Sequence, residues 1–508
     1  MQEIRELLHV IKQNGLTYKT VSDKLVGVPS QKVIAFLEGV DALQIATDEK
    51  AAEVLFPAEK EKTKFRKFKA ELKGRLYDLI VQLNTNQSRF TDYQKAYYYC
   101  HRQWLVVKIL TGLNANTSAI GLAYRLLKTA EKYTFTLLCM DISSYLSIQY
   151  GVREHDSKKY LWAEEQVEYW ARLYHAESKA ERYYTYLIAQ FSSRKKGKEE
   201  LLETAVRYSD QVSDYMSDMA SYRLQMYGYL LCILRNTIKD DYMAALVCAN
   251  EAIEFFQGLS YEARVPLQIF YYQSLVCHIQ LKQFDTGAEV AQKCIDLMAE
   301  GSFNWFKYQD LYFLMLLHTG EYEKAKTVLK LNLNHSKFEF LPDNVKEVWY
   351  LYEAYIYYLA LCEKVTYTSK FKLSKFINDT SILTKDKSGK NVAIIIIRYV
   401  ILLREQKLSR LLDEVETLQQ YCYNYLRGEH TRRSFALLKM LLTIPMAQYD
   451  PELVTEKVTR FKQTLEEAPF DLNNQTFEVE ILPFEVIWSL ALEGLQLRKQ
   501  QLQQKKSK

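Results

Sequence analysis

The stretch Leu314–Leu329, LMLLHTGEYEKAKTVL, decides the fold, because two other stretches line up with it. Tyr322 aligns with Phe284, 38 residues earlier, and Phe284 with Tyr242, 42 residues earlier. Eight residues before each aromatic stand Leu314, Val276 and Leu234. Three residues after it come Ala325, Gly287 and Ala245; seven after come Leu329, Ala291 and Ala249; eleven after come Leu333, Ile295 and Ile253. Steps of three and four place these positions on one helix face. An aromatic at the turn plugs the gap between two antiparallel helices, and a small residue just beyond it lets them cross closely. The interval holds two helices and two short connections, the signature of a stacked helical repeat.

Composition points the same way. The 508 residues include 16 glycines and 8 prolines, about 3% and 1.6%, against usual values of roughly 7% and 5%. So few turn-formers cannot close the many tight turns of a sandwich, propeller or doubly wound sheet. Hydrophobic residues at 48% and charged residues at 25% describe a folded chain. The fold class expected is all-α, a solenoid of antiparallel helix pairs.

Residues Gly320, Tyr322 and Ala325 fall on the glycine, aromatic and alanine positions of the tetratricopeptide repeat, which the segment Leu314–Leu329 closely resembles. Ile279–Leu297 is similar to it but carries Lys282 for the glycine and Gly287 for the alanine. Weaker echoes stand at Ala119–Ala130 and Leu408–Leu418. The period exceeds that family's 34 residues, which implies longer helices or loops. The strings KDKSGKN (Lys385–Asn391), YLRGEHTRRS (Tyr425–Ser434), EVEILPFEVIW (Glu478–Trp488) and KFRKFKAELKGRL (Lys64–Leu76) resemble a helical-repeat family of Bacteroidota-type bacteria without an assigned activity. Both resemblances imply a fold, and the second a bacterial source.

The expected organisation is a helical N-terminal region over 1–57 and tetratricopeptide-like repeats over 58–360. A lysine-rich loop or irregular segment over 361–391 and C-terminal helical repeats with a cap over 392–508 complete it. Phe65, Phe68, Leu72, Leu76 and Leu79 form one apolar stripe among the basic residues of Lys60–Arg75. Asn116 or Thr117 is expected to cap the helix that follows. Val392–Leu403, interrupted by Arg398, reads as a buried helix, and Phe477–Leu482 alternates like a short extended piece.

Sixty-seven basic and sixty-two acidic residues give a net charge of +5, which demands neither nucleic acid nor membrane. The most apolar run has twelve residues, short of the about 20 a membrane helix needs, so no membrane insertion is expected. The charged N-terminal stretch MQEIRELLHVI does not read as a signal peptide. Eight irregularly spaced cysteines without a CxxC read as reduced thiols in a cytoplasmic protein.

Catalytic motifs are absent: no HExxH, GxSxG or GxGxxG occurs. Ser388–Asn391 matches half of a phosphate-binding loop, with Thr384 where the first glycine belongs. Cys100–His101 and Cys277–His278 are adjacent pairs that point about 100° apart on a helix, poor metal ligands. No cofactor, no metal and no catalysis are expected. The function expected is a protein–protein interaction scaffold or adaptor, with a peptide or protein partner on the concave face; the sequence sets no oligomeric state. The alternative is a nucleic-acid-linked regulator: Leu16–Gly39 has the outline of a helix-turn-helix, with Ser30, Gln31 and Lys32 opening the recognition helix. A speculative binding cluster gathers Lys385, Lys387, Arg427, Arg432 and Arg433 near Glu478 and Glu480, unless those charges satisfy one another. The 39 tyrosines include adjacent pairs, Tyr183–Tyr184, Tyr271–Tyr272 and Tyr357–Tyr358. Their phenols either reach an outer surface or replace phenylalanine between helices.

Overall fold

A computed structural model describes residues 1–23, 30–56, 62–87, 90–193, 197–367, 371–379, 389–426, 431–468 and 479–506. Among these residues every regular element is helical, with no strand. The chain divides into two compact units, Met1–Leu138 and Cys139–Lys508.

In the first unit, α1 (Gln2–Gln13), α2 (Tyr18–Ser22), α3 (Ser30–Asp41), α4 (Asp48–Leu55) and α5 (Lys62–Val81) close on one core. Ile4, Leu8, Phe36, Leu72 and Leu76 are among its fully buried members. The stripe Phe65–Leu79 faces this core, so the N-terminal bundle extends past residue 57, the edge drawn from the sequence. The basic face of α5 is partly tied down. Lys69 pairs with Asp48 at 2.6 Å and Lys73 pairs with Glu3, while Arg66 and Lys67 are exposed. A capping box of Thr91 and Gln94 starts α6 (Asp92–Gly112). In α7 (Asn116–Lys132), Asn116 is the first helical residue, and Ala115 before it supplies no side-chain cap.

The second unit opens within α8 (Thr136–Ile148) and continues as packed pairs. These are α9 (Ser157–Ser193) with α10 (Lys198–Asp218), α11 (Tyr222–Ile238) with α12 (Tyr242–Gln257), α13 (Arg264–Gln280) with α14 (Phe284–Leu297), and α15 (Phe303–His318) with α16 (Tyr322–Leu333). Then come α17 (Asp343–Leu361), the short α18 (Leu373–Asp379), α19 (Gly389–Arg404) with α20 (Leu408–Tyr425), and α21 (Arg432–Met446) with α22 (Pro451–Glu467). The last helix, α23 (Phe484–Lys506), packs on α19, α21 and α22. A single apolar cluster runs from Leu230 to Leu495. Val392–Leu403 lies in α19, mostly buried, and residues 479–482 are buried without regular structure. No helix among the described residues is long and apolar enough to cross a membrane.

One turn recurs between first and second helices. Asp240, Lys282 and Gly320, each two residues before the aligned aromatic, all have positive φ, at 62°, 56° and 79°. The next residue's N–H reaches back five positions: Asp241 to Asn236 O at 2.9 Å, Gln283 to His278 O at 2.8 Å, Glu321 to Leu316 O at 2.9 Å. This is the Schellman ending, a left-handed residue that satisfies the open carbonyls of a helix. It also occurs at Asn114, Thr134 and Gln406, the last two residues before α20. Beyond each aligned aromatic, Ala245, Gly287 and Ala325 are buried at the crossing of the pair. At 37 residues, α9 is about 55 Å long, longer than a 34-residue repeat can hold.

The expectation of eight reduced thiols is corrected at one pair. Cys232 on α11 and Cys248 on α12 are joined as a disulfide, because antiparallel packing brings their Cα atoms to 6.3 Å. The other six cysteines are buried and outside any disulfide.

Two glycine substitutions separate backbone from packing. A Cβ on Gly287 meets His278 Cβ at 3.4 Å and Leu275 Cδ1 at 3.7 Å, ordinary contacts. Gly287→Ala is therefore expected to stabilise the protein by about 0.5–1 kcal/mol through helix propensity. Gly320 has open space around it but a left-handed backbone, so Gly320→Ala is expected to destabilise by about 1 kcal/mol. Urea midpoints of the two variants check both signs; equal shifts would contradict this account of the turn.

Candidate functional site

Of the basic cluster expected from the sequence, Lys385, Lys387 and Arg427 lie outside the described residues, as does Glu478. Arg432 and Arg433 open α21, and one step of helix separates their fates. Arg432 is exposed and Arg433 is 5% exposed. Arg433 Nε donates to Glu480 Oε2 and Nη2 to Glu480 Oε1, both at 2.8 Å. Nη2 also donates to Glu485 Oε1 at 2.8 Å, and Nη1 to the carbonyls of Leu465 and Ala468, each at 2.8 Å. Every guanidinium nitrogen is thus engaged within the protein. Burial works against the charge of Arg433, but Glu480 and Glu485 outweigh it and hold the guanidinium more firmly protonated than usual.

Glu480 Oε1 further accepts the N–H of Phe484, and Glu480 O lies 2.9 Å from His318 Nε2 at the end of α15. Arg433 therefore clasps the end of α22, the start of α23 and the buried residues 479–482 before it. Desolvation by burial keeps the His318 pKa below its ordinary value. Arg433 is a structural clasp in this arrangement, while Arg432 keeps its head in solvent.

The helix-turn-helix outline is present only in part. α2 has five residues, the segment 24–29 lies outside the described residues, and the side chain of Ser30 is likewise undescribed. Gln31 is exposed, but Lys32 Nζ donates to Leu55 O at 2.7 Å within the bundle.

What the structure assembles instead is a groove of about 280 Å³ along the first helices α9, α11 and α13. Residues three or four apart on each helix line it: Tyr184 and Ile188 on α9, Leu234 and Thr237 on α11, Tyr272 and Val276 on α13. The phenol of Tyr184 is held by neighbours. Tyr184 lies 6.0 Å from the Tyr227 ring, and Tyr227 Oη donates to Glu181 Oε1 at 3.1 Å, beside the Arg223–Glu181 ion pair. Burial raises the pKa of Tyr184, Tyr227 and Tyr272, and at Tyr272 the Asp310 carboxylate raises it further. These hydroxyls stay neutral and can both donate and accept.

Cys277 in the groove lining is pushed up to about 12 by burial, so the thiolate is not formed at neutral pH. His278 beside it turns away and places Nδ1 2.9 Å from Gln283 Oε1.

The adjacent tyrosine pairs split between core and surface. Tyr271 is 8% exposed and Tyr358 1%, whereas Tyr272 and Tyr357 are half-buried. Tyr183 stacks on Tyr208 with centroids 3.8 Å apart and donates to Gln211 Oε1. Thr237, Ile188 and Val276 carried no signal as groove residues, because their adjacency depends on how three distant helices stack.

Removing Arg433 should leave Glu480 buried without its cation. Arg433→Ala is expected to cost about 3–5 kcal/mol, and Arg432→Ala less than about 0.5 kcal/mol. Paired denaturation curves check this, and similar losses in both variants would contradict the clasp. Comparison with protein-family models, curated proteins and solved structures gave no match.

Proposed function

We propose that the chain is a non-catalytic interaction scaffold or adaptor, a tetratricopeptide-like solenoid that holds a peptide or a protein surface on its first helices. One observation carries the reading: the groove on α9, α11 and α13 is lined by apolar side chains together with Tyr184 and Tyr272, whose hydroxyls stay neutral. Apolar side chains of a partner would enter between Ile188 and Val276, while the phenols of Tyr184 and Tyr272 would meet its backbone amides. Tyrosine suits this task because it offers large contact area with little conformational entropy to lose. A cytoplasmic location belongs to the same proposal. The nucleic-acid alternative has less behind it, since Lys32, the one basic residue among the three opening its recognition helix, is engaged with Leu55 O.

A phage-displayed peptide library panned on the intact chain tests the proposal. Enriched peptides are expected to bind the wild-type protein in fluorescence polarisation. Val276→Glu is expected to weaken them at least tenfold, about 1.4 kcal/mol, and Tyr272→Phe by a smaller factor, with helicity unchanged. No enrichment, or peptides indifferent to Val276→Glu, would sink this reading.

A further inference from the structure

A second cavity, of about 200 Å³, lies between α17, α19 and α23 and plays no part in the groove. Val400 and Leu403 from α19 and Leu490 and Leu495 from α23 form an aliphatic patch in its wall, beside the polar Tyr358, Gln406 and Gln501. Into it project two arginines, Arg404 and Arg498. Arg404 is fixed by its Nε, which donates to Leu361 O at 3.0 Å. Its Nη1 lies 3.0 Å from where a Cβ on Gly494 would stand, so the guanidinium rests directly on the α23 backbone. Arg498 follows Gly494 by one helical turn on the same face. Its guanidinium carbon sits 4.8 Å from the centroid of the Tyr449 ring, and its Nη1 is buried with no hydrogen-bond partner among the described residues.

Two like charges gathered beside an aliphatic patch are costly unless an anion joins them. The nearby carboxylates do not neutralise the pair. Glu493 lies 3.3 Å from Lys364 Nζ, Glu405 accepts from Tyr357 and pairs with Lys407, and Glu363 is an exposed residue at the cavity's edge. Counting Glu363 against the two arginines leaves a surplus of one positive charge. That surplus suits a monoanion, and the planar guanidinium fork matches a carboxylate. The aliphatic patch calls for an apolar body behind it.

We propose that this cavity, where Arg404 and Arg498 stand beside an aliphatic patch of Val400, Leu403, Leu490 and Leu495, binds a carboxylate carried on an aliphatic body. Two sources share that chemistry, a free aliphatic acid and the C-terminal carboxylate of a peptide ending in an aliphatic residue. Isothermal titration of the full chain with octanoate and with N-acetyl-alanyl-leucine distinguishes them. Octanol and the amide of the same dipeptide serve as uncharged partners, and inorganic phosphate as a charge without a body.

At least one carboxylate is expected to bind, and its uncharged partner and phosphate at least tenfold more weakly. Arg498→Gln is expected to weaken that binding at least tenfold. Gly494→Ala, whose methyl displaces Arg404 while leaving both charges in place, should weaken it by a smaller factor. Circular dichroism confirms that each variant is folded, and Arg404→Gln replaces Arg498→Gln if the latter is not. Binding of neither carboxylate, equal binding of the uncharged partners or of phosphate, or binding unchanged in the folded arginine variant would overturn the proposal.

Discussion

The first helices α11, α13 and α15 each hand over to their second through a three-residue turn whose middle residue is left-handed, and this turn sets the geometry of those pairs. Asp240, Lys282 and Gly320 share it although only one of them is glycine. The conformation satisfies carbonyls at the helix end and returns the chain antiparallel within a few residues. Where aspartate or asparagine stands, the strain is modest; at Lys282 a long side chain accepts a backbone that favours glycine. The packed crossing just beyond holds that residue in place.

Because the turn is short, the aromatic after it and the small residue three positions on must meet the preceding helix. Ala245 and Ala325 have no exposed surface, and the continuous cluster from Leu230 to Leu495 grows from such crossings. Each pair buries only part of its apolar surface alone, so a neighbour must cover the rest. At the C-terminal end the segment 479–482 brings a carboxylate into an apolar interior. The Arg433 clasp answers that charge with two carboxylates and two backbone carbonyls around one guanidinium.

The two cavities differ in what they ask of a ligand. The groove on α9, α11 and α13 presents neutral hydroxyls and branched aliphatic side chains, a surface suited to amides and apolar side chains. The cavity by α23 is lined by two arginines, and Nη1 of Arg498 is buried with no hydrogen-bond partner among the described residues. Packing of first helices against one another forms the former. The latter exists because a glycine at 494 lets α19 end with its arginine against α23.

The sequence by itself determined the helical class, the repeat register and the crossing residues, since these depend on spacings within about 40 residues and on the scarcity of glycine and proline. It also marked Tyr184 and Tyr272 as members of pairs that could not both be buried. Only the tertiary structure decided which tyrosine of each pair faces the groove, because a rotation of 100° on one helix makes the choice. It likewise decided that Arg433 is clasped while Arg432 is free to meet solvent, and that Cys232 meets Cys248. The proximity of Arg404 to Arg498 was illegible for the same reason: 94 residues separate them, and no local period connects residues brought together by the stacking of distant helices.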